Sequence, residues 1–289
     1  MSREKPSVPV EPGGISAREL SRDASLPIAI RQINELPENA KRRVFRSLLP
    51  PTLAAHFSIS PISWRSSNGG PSVALKALEG SGVVNLSILE SPGSQNQFFS
   101  IELQDNTFQG IDLNLLILAD PQSVYFQTDF DAQGNATLFG TLKRNLDEER
   151  RAMEAGLSPA QVRKGLGFSK LVLDQLEVFL STLGQEAYFL EPLTYVSALL
   201  FERRGFAYVR GHQLMDEIHA QFQPGGMLHT ALDGSSPFRK APQADSIRGR
   251  AWAIHDGILE AIDARWDGLR MVKRIGVHAS VNTAPVLEY

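Results

Sequence analysis

His212, Asp216 and His219 stand at i, i+4 and i+7, a spacing that puts all three on one face of a helix. Two imidazoles and a carboxylate so arranged can act as metal ligands, with Glu191 or His255 completing the set. The spacing departs from the His-Glu-x-x-His pattern of zinc helices, and the other reading is a polar, solvent-facing side with one partly buried histidine. His255 follows Trp252 by three residues and precedes Asp256. Neighbouring helical side chains point about 100° apart, so Asp256 cannot orient it; Asp256 is expected to pair with Arg248 or Arg250. A carboxylate from elsewhere would make His255 a general base. Without one, it is a structural histidine under the Trp252 indole.

The elements that must carry these groups are read from period and punctuation. Residues 1–27 read as a flexible arm broken by Pro6, Pro9, Pro12, Gly13 and Gly14. Residues 28–145 form a β-rich region after short helices between Ile28 and Leu49, stopped by Pro50-Pro51. Runs of β-branched and aromatic residues predict strands at Leu53–Ser58, Val73–Leu78, Val83–Leu89, Phe98–Leu103, Ile111–Leu118, Val124–Thr128 and Thr137–Gly140. Turn signals such as Gly80-Ser81-Gly82 and Ser91-Pro92-Gly93 separate them, which suggests a mostly antiparallel sheet.

Residues 146–289 alternate helix and strand, as one domain with the preceding region or as a second. Helices are predicted over Leu146–Ala155, from the capping box Ser158-Pro159-Ala160-Gln161 through Val172, Leu176, Phe179 and Leu183, over Thr194–Arg203 and His212–Phe222, and over Ala251–Ala264. Glu186–Leu190, Phe206–Val209 and Leu269–Val281 read as extended. The fold class is α+β, a mixed, mostly antiparallel sheet with a helix-strand-helix-strand second half.

The segment Gln161 to Gly211 carries Gly165-Leu166-Gly167 before a helix and Phe201-Glu202-Arg203-Arg204-Gly205-Phe206 at the end of the next one, followed by Ala207-Tyr208-Val209. This resembles the acetyl-CoA-binding half of the GNAT acyltransferase superfamily, whose Gly-rich turn is followed by a helix, a strand, a helix ending in a Tyr-x-x-x-Gly-Phe-like motif and a closing strand. The resemblance implies a site for acetyl-CoA or another acyl-CoA. Gly165 and Gly167 would offer free N–H groups and a helix dipole to a pyrophosphate, with Arg163 and Lys164 adding charge-assisted contacts. The next strand would splay from its neighbour so that the cofactor's pantetheine arm pairs with exposed backbone.

Glu191 is the candidate base for an acceptor amine, and the function implied is N-acyl transfer. Val162 stands where the family commonly has Gln or Arg. Phe201 stands at the tyrosine that often protonates the leaving thiolate, so a water would replace that proton. If the helix begins at Ser158, both glycines lie inside it at about 1 kcal/mol each; if it breaks at Gly165 and restarts near Phe168, the turn can cradle phosphate. Degenerate, non-catalytic binding on the same scaffold is the alternative, as is a metal enzyme built on His212, Asp216 and His219.

Composition bounds the remaining classes. With 289 residues, 42% hydrophobic and 21% charged, the chain can bury a sizeable core. A net charge of −3 gives no global basic field for nucleic acid or anionic lipid. No apolar run is long enough to span a bilayer, and no secretory h-region is present near the start. Zero cysteines exclude disulfides, thiolate nucleophiles and Cys-ligated clusters and fit a cytoplasmic protein. No serine elbow, Walker loop or Rossmann fingerprint occurs. A small-molecule ligand is the partner expected; the oligomeric state is not encoded in any motif.

Overall fold

The computed structural model describes residue 20 and residues 26–67, 69–131, 133–137, 143–285 and 287. Apart from Leu20, Leu26 and Pro27, the predicted arm lies outside them, as do residues 138–140 of the last predicted strand. From residue 26 onward, three short helices come first: α1 (Ile30–Asn34), α2 (Glu38–Arg46) and α3 (Pro51–His56). The third corrects the strand expected at Leu53–Ser58. Pro50 ends nothing there; it is the N-cap residue and Pro51 the first helical residue, where a missing N–H and a fixed φ suit a helix start.

Four antiparallel strands come next, β1 (Ser72–Lys76), β2 (Val83–Leu89), β3 (Gln97–Asp105) and β4 (Ile111–Leu118). The Val124–Thr128 stretch forms no strand; Phe126 instead donates its N–H to the Val162 carbonyl at 2.9 Å. Beyond it come α4 (Leu146–Glu154), α5 (Ser169–Thr182), β5 (Ala187–Leu190), α6 (Tyr195–Arg203), β6 (Ala207–Arg210), α7 (His212–Gln221), α8 (Met227–Thr230), α9 (Ile247–His255) and β7 (Arg270–Arg274). The chain is therefore α+β, with one seven-stranded mixed sheet in the order β1-β2-β3-β4-β5-β7-β6. Among the described residues no helix is long and apolar enough to cross a membrane.

Strand alternation sorts the sheet's side chains. Val84, Leu86, Ile88, Phe99, Ile101, Leu103, Ile111 and Leu113 are buried in the main core with residues of α1, α2 and α5. Phe45 of α2 meets Phe179 of α5 at 6.3 Å between ring centroids. Burying such a ring contributes about 2–3 kcal/mol. The opposite face carries Asn85, Ser87, Ser100, Glu102, Gln104 and Asn114, which hydrogen-bond to one another across the strands. A second, smaller core gathers Phe126, Ala152, Leu157, Phe238 and Trp252, and the Trp252 indole donates to the Leu157 carbonyl at 2.8 Å.

The parallel pair in the sheet is short. β5 runs beside β4 only at Ile111↔Tyr188 and Asp112↔Phe189. β4 then carries a bulge: Glu102 of β3 pairs with Leu115 and Leu103 with Leu113, leaving Asn114 as the extra residue. A bulge bends its strand and sharpens the local twist. From Leu113 to Leu118, β4 accordingly keeps β3 as a neighbour but no longer has β5.

Candidate functional site

The divergence of β4 and β5 opens a cleft of about 690 Å³. Its walls come from β4 (Leu113 to Leu116, and Leu118), from the end of β5 (Leu190, Glu191) and from α6 (Val196, Ser197, Leu200, Phe201). The 155–161 segment, Lys164, Gly165, Gly167, Ser169 and Arg248 complete it. Four of the residues singled out in the sequence, Lys164, Gly165, Gly167 and Glu191, thus meet in one place.

The glycine turn is fixed by the end of β4. Gly165 bridges Ala119, the Leu166 N–H donates to the Leu118 carbonyl at 3.3 Å, and Asp120 donates to the Lys164 carbonyl at 2.8 Å. Of the two geometries open in the sequence, the chain takes the broken one. The capping-box residues make a single turn: Ser158 receives the Gln161 side chain on its N–H at 2.8 Å, but Ala160 adopts φ +65°, which no helix continues. Gly167, at φ +75°, then permits a reversal that an L-residue resists, and α5 starts at Ser169. No side chain caps α5, so the N–H groups of Ser169, Lys170 and Leu171 have no intrahelical acceptor.

The open edge of β4 is the second backbone feature. Ala119 donates to Phe98 at 2.8 Å, and such hydrogen-bonded pairs recur at every second residue of an antiparallel ladder. Leu115 and Ile117 therefore turn their backbone groups to β3, while Leu116 and Leu118 turn theirs to the side that β5 has left. The Leu118 carbonyl is taken by Leu166; beside Leu116 there is no strand among the described residues.

Charges at the cleft differ from expectation. The Arg163 guanidinium does not reach it; it donates to the carbonyls of Pro121 and Ser123 and lies 5.2 Å from the centroid of the Tyr125 ring. Lys164 is exposed and makes no ion pair among the described residues. Arg204, at the end of α6, reaches the first residue of α5 instead, donating to Ser169 Oγ at 3.1 Å. Glu191 is 60% exposed and accepts from Arg270 at 3.2 Å. Arg270 in turn clamps Asp112 of β4 through two contacts of 2.8 and 2.9 Å.

The other predicted groups lie elsewhere. His255 does find a carboxylate, donating Nε2–H to Glu149 at 3.3 Å, and its ring meets Trp252 edge-on at 5.8 Å. It does not line the cleft. Glu149 also takes Arg144, and Arg144 joins Asp256, which binds Arg239 at 2.9 Å and Ser236 at 2.7 Å. Asp256 thus pairs with Arg144 and Arg239 rather than with Arg248 or Arg250, because these come from loops folded onto α9. Burial alone would raise the Glu149 carboxyl, but bonds from His255 and Arg144 outweigh it and hold the group below the ordinary range.

The residues of the metal alternative do not converge on one point in this structure. His212 stacks on Tyr208 at 5.5 Å and stands 3.8 Å from Asp216. His219 instead faces Arg250 at 3.3 Å; desolvation first, and then the charge of Arg250, push its titration down. Neither Glu191 nor His255 joins them, and no group of three such ligands occurs among the described residues.

Family models, curated proteins and solved structures offer no match to this chain. The site therefore has to be read from its own chemistry. It combines an uncapped helix N-terminus, an unpaired strand edge, leucine-rich walls and one carboxylate. Asn114, Ser158 and Arg248 were missed as lining residues in the sequence. Ser158 was legible only as a helix cap, and nothing local marks Asn114 as a bulge. The Ser158 side chain is buried with no partner for its hydroxyl among the described residues.

Proposed function

We propose that the cleft binds an acyl-CoA-type thioester and that the protein transfers the acyl group to an amine. The observation that carries this reading is the parting of β4 and β5 beside the uncapped N-terminus of α5. An extended ligand with amide groups pairs with a free strand edge, and its anionic end is favoured at a helix N-terminus preceded by glycines. The order α5, β5, α6, β6 agrees with the helix-strand-helix-strand run that the GNAT resemblance implies, and Gly165 and Gly167 stand before α5 as its Gly-rich turn does. A cytoplasmic location goes with such a donor.

In this reading the amine lone pair attacks the thioester carbonyl, the C–N bond forms and the C–S bond breaks. The amine proton passes to Glu191, which Arg270 holds at the cleft rim. The leaving thiolate takes a proton from water, since Phe201 has none to give. Mixing the protein with acetyl-CoA and an amine panel and measuring free thiol tests the reading. Release that depends on amine, with Glu191→Gln lowering turnover and leaving CoA affinity unchanged, supports it; failure of the protein to bind CoA or any thioester sinks it.

Phe201 favours one second reading. The phenylalanine lines the cleft and packs against Phe206 at 5.0 Å, and no Tyr or His side chain lines the cleft among the described residues. A protein that binds acyl-CoA without transferring the acyl group would show tight binding and no amine-dependent thiol release.

A further inference from the structure

Several polar side chains of the cleft wall are engaged within the fold. Thr194 and Ser197 cap α6 reciprocally, with bonds of 3.2 Å from the Ser197 N–H to Thr194 Oγ1 and 2.9 Å from the Thr194 N–H to Ser197 Oγ. The Asn114 amide donates to Gln104 at 2.7 Å, and the Gln161 side chain accepts from the Ser158 N–H at 2.8 Å. The Ser158 hydroxyl is buried within the wall. Beside the charged Lys164, Glu191 and Arg248, the wall therefore offers a ligand a mainly apolar stretch.

Leu115, Leu116, Leu118, Leu200 and Phe201 line the cleft and are each only partly buried. The packing of the fold leaves their side chains in contact with water, so an apolar ligand that covers them gains the hydrophobic free energy that folding has not used. The cationic and N–H-rich part, made of Lys164, the glycine turn and the start of α5, adjoins the Leu118 end of this wall. Apolar wall and anion-favouring end together fit an amphipathic ligand that carries an anionic group and a hydrocarbon chain. An acetyl group brings a single methyl and would leave wet whatever part of the wall the pantetheine arm does not cover.

We infer, resting on the acyl-CoA reading above, that the donor's acyl group is a medium-length hydrocarbon chain of the hexanoyl to decanoyl class rather than acetyl.

Calorimetric titration with CoA, acetyl-, butyryl-, hexanoyl-, octanoyl- and decanoyl-CoA decides the matter. Kd is expected to fall about fourfold for each methylene added, the equivalent of about 0.8 kcal/mol, until the chain fills the cleft. Leu200→Trp, which plugs the wall, is expected to bring octanoyl-CoA back to the affinity of acetyl-CoA and to leave CoA itself unchanged. Leu116→Trp, farther from the glycine turn, serves as an independent plug if the first variant does not melt cooperatively. Equal affinity for acetyl- and octanoyl-CoA would overturn the chain-length inference and leave the acyl-CoA reading standing. No binding of CoA or any thioester would overturn both.

Discussion

Gly165 and Gly167 sit two residues apart in the same turn, yet alanine at each should do different things. At Gly165 the backbone is not left-handed, and an added Cβ meets only the Leu118 carbonyl oxygen at 3.5 Å, an ordinary contact. Gly165→Ala should therefore keep the stability of the parent to within about 0.5 kcal/mol. At Gly167 the added Cβ meets nothing within 4 Å, but φ is +75°. The left-handed conformation costs an L-residue about 1 kcal/mol, which lowers the melting temperature by roughly 2–4 °C in a chain of this size.

Ligand binding should show a different order. If an anion docks on the turn and the first N–H groups of α5, a side chain at either position stands in its way. Each charge-assisted hydrogen bond lost costs about 1.5–3 kcal/mol, a drop in affinity of about tenfold to a hundredfold. Gly165→Ala should thus be stable and bind CoA poorly, and Gly165→Val more poorly still. Thermal unfolding read beside calorimetric titration of CoA separates the two effects. The reasoning is refuted if Gly165→Val binds CoA within twofold of the parent, because the cradle would then hold no anion. An unchanged melting temperature for Gly167→Ala would refute the backbone argument independently.

The buried charges make two further outcomes testable. Glu149 and Asp256 both titrate below the ordinary carboxyl range: burial would raise them, but His255 and Arg144 for the first, and Ser236, Arg144 and Arg239 for the second, outweigh it. A depressed carboxyl contributes stability that is fully present above its unfolded pKa, about 4, and lost as pH falls through the lower folded value. Urea unfolding should show a plateau from about pH 5 to 7 and a fall below about pH 4.5, and Glu149→Gln, which leaves Arg144 only its Asp256 partner, should cost about 1–3 kcal/mol at pH 7 while flattening the acid limb. Wild-type stability of Glu149→Gln at pH 7 would show that the network holds nothing together. Glu202, 2% exposed, accepts from Tyr208 at 2.7 Å, from Thr283 Oγ1 at 2.6 Å and from the Thr283 N–H at 3.0 Å. Glu202→Ala leaves these donors unsatisfied and should cost about 3 kcal/mol or more, with faster proteolysis near residue 283; a loss below about 1 kcal/mol by denaturant titration would contradict it.

Local pattern was enough wherever neighbours in the chain decide the outcome. Val172, Leu176 and Phe179 repeat with a helical period and are all buried in α5. The β2, β3 and β4 runs are flanked by glycine turns and pair as a meander, so the α+β class, the mostly antiparallel sheet and the glycine turn before a helix were legible in residue types. Short segments were less so. Leu53–Ser58 has the composition of a strand, but a proline at the first helical position begins α3. The Ser158 capping box makes only half of its reciprocal pair, and the chain leaves the helical region at Ala160.

Everything that brings distant segments together was decided by tertiary structure. His255 meets a carboxylate 106 positions away and Arg270 meets one 158 positions away, and no spacing rule reaches that far. Arg163 has the charge the turn needs, but the 121–125 loop captures it, because a guanidinium close to free carbonyls binds them before any ligand arrives. The bulge at Asn114 arises from register against β3, and that register depends on which side chains the core accepts. Residue types alone thus determined a glycine turn, a helix and a carboxylate that could serve one site. Only the folding of β5 against two residues of β4, and its departure after them, made the cleft where those groups meet, because strand pairing is a contact between segments that the chain's local preferences do not specify.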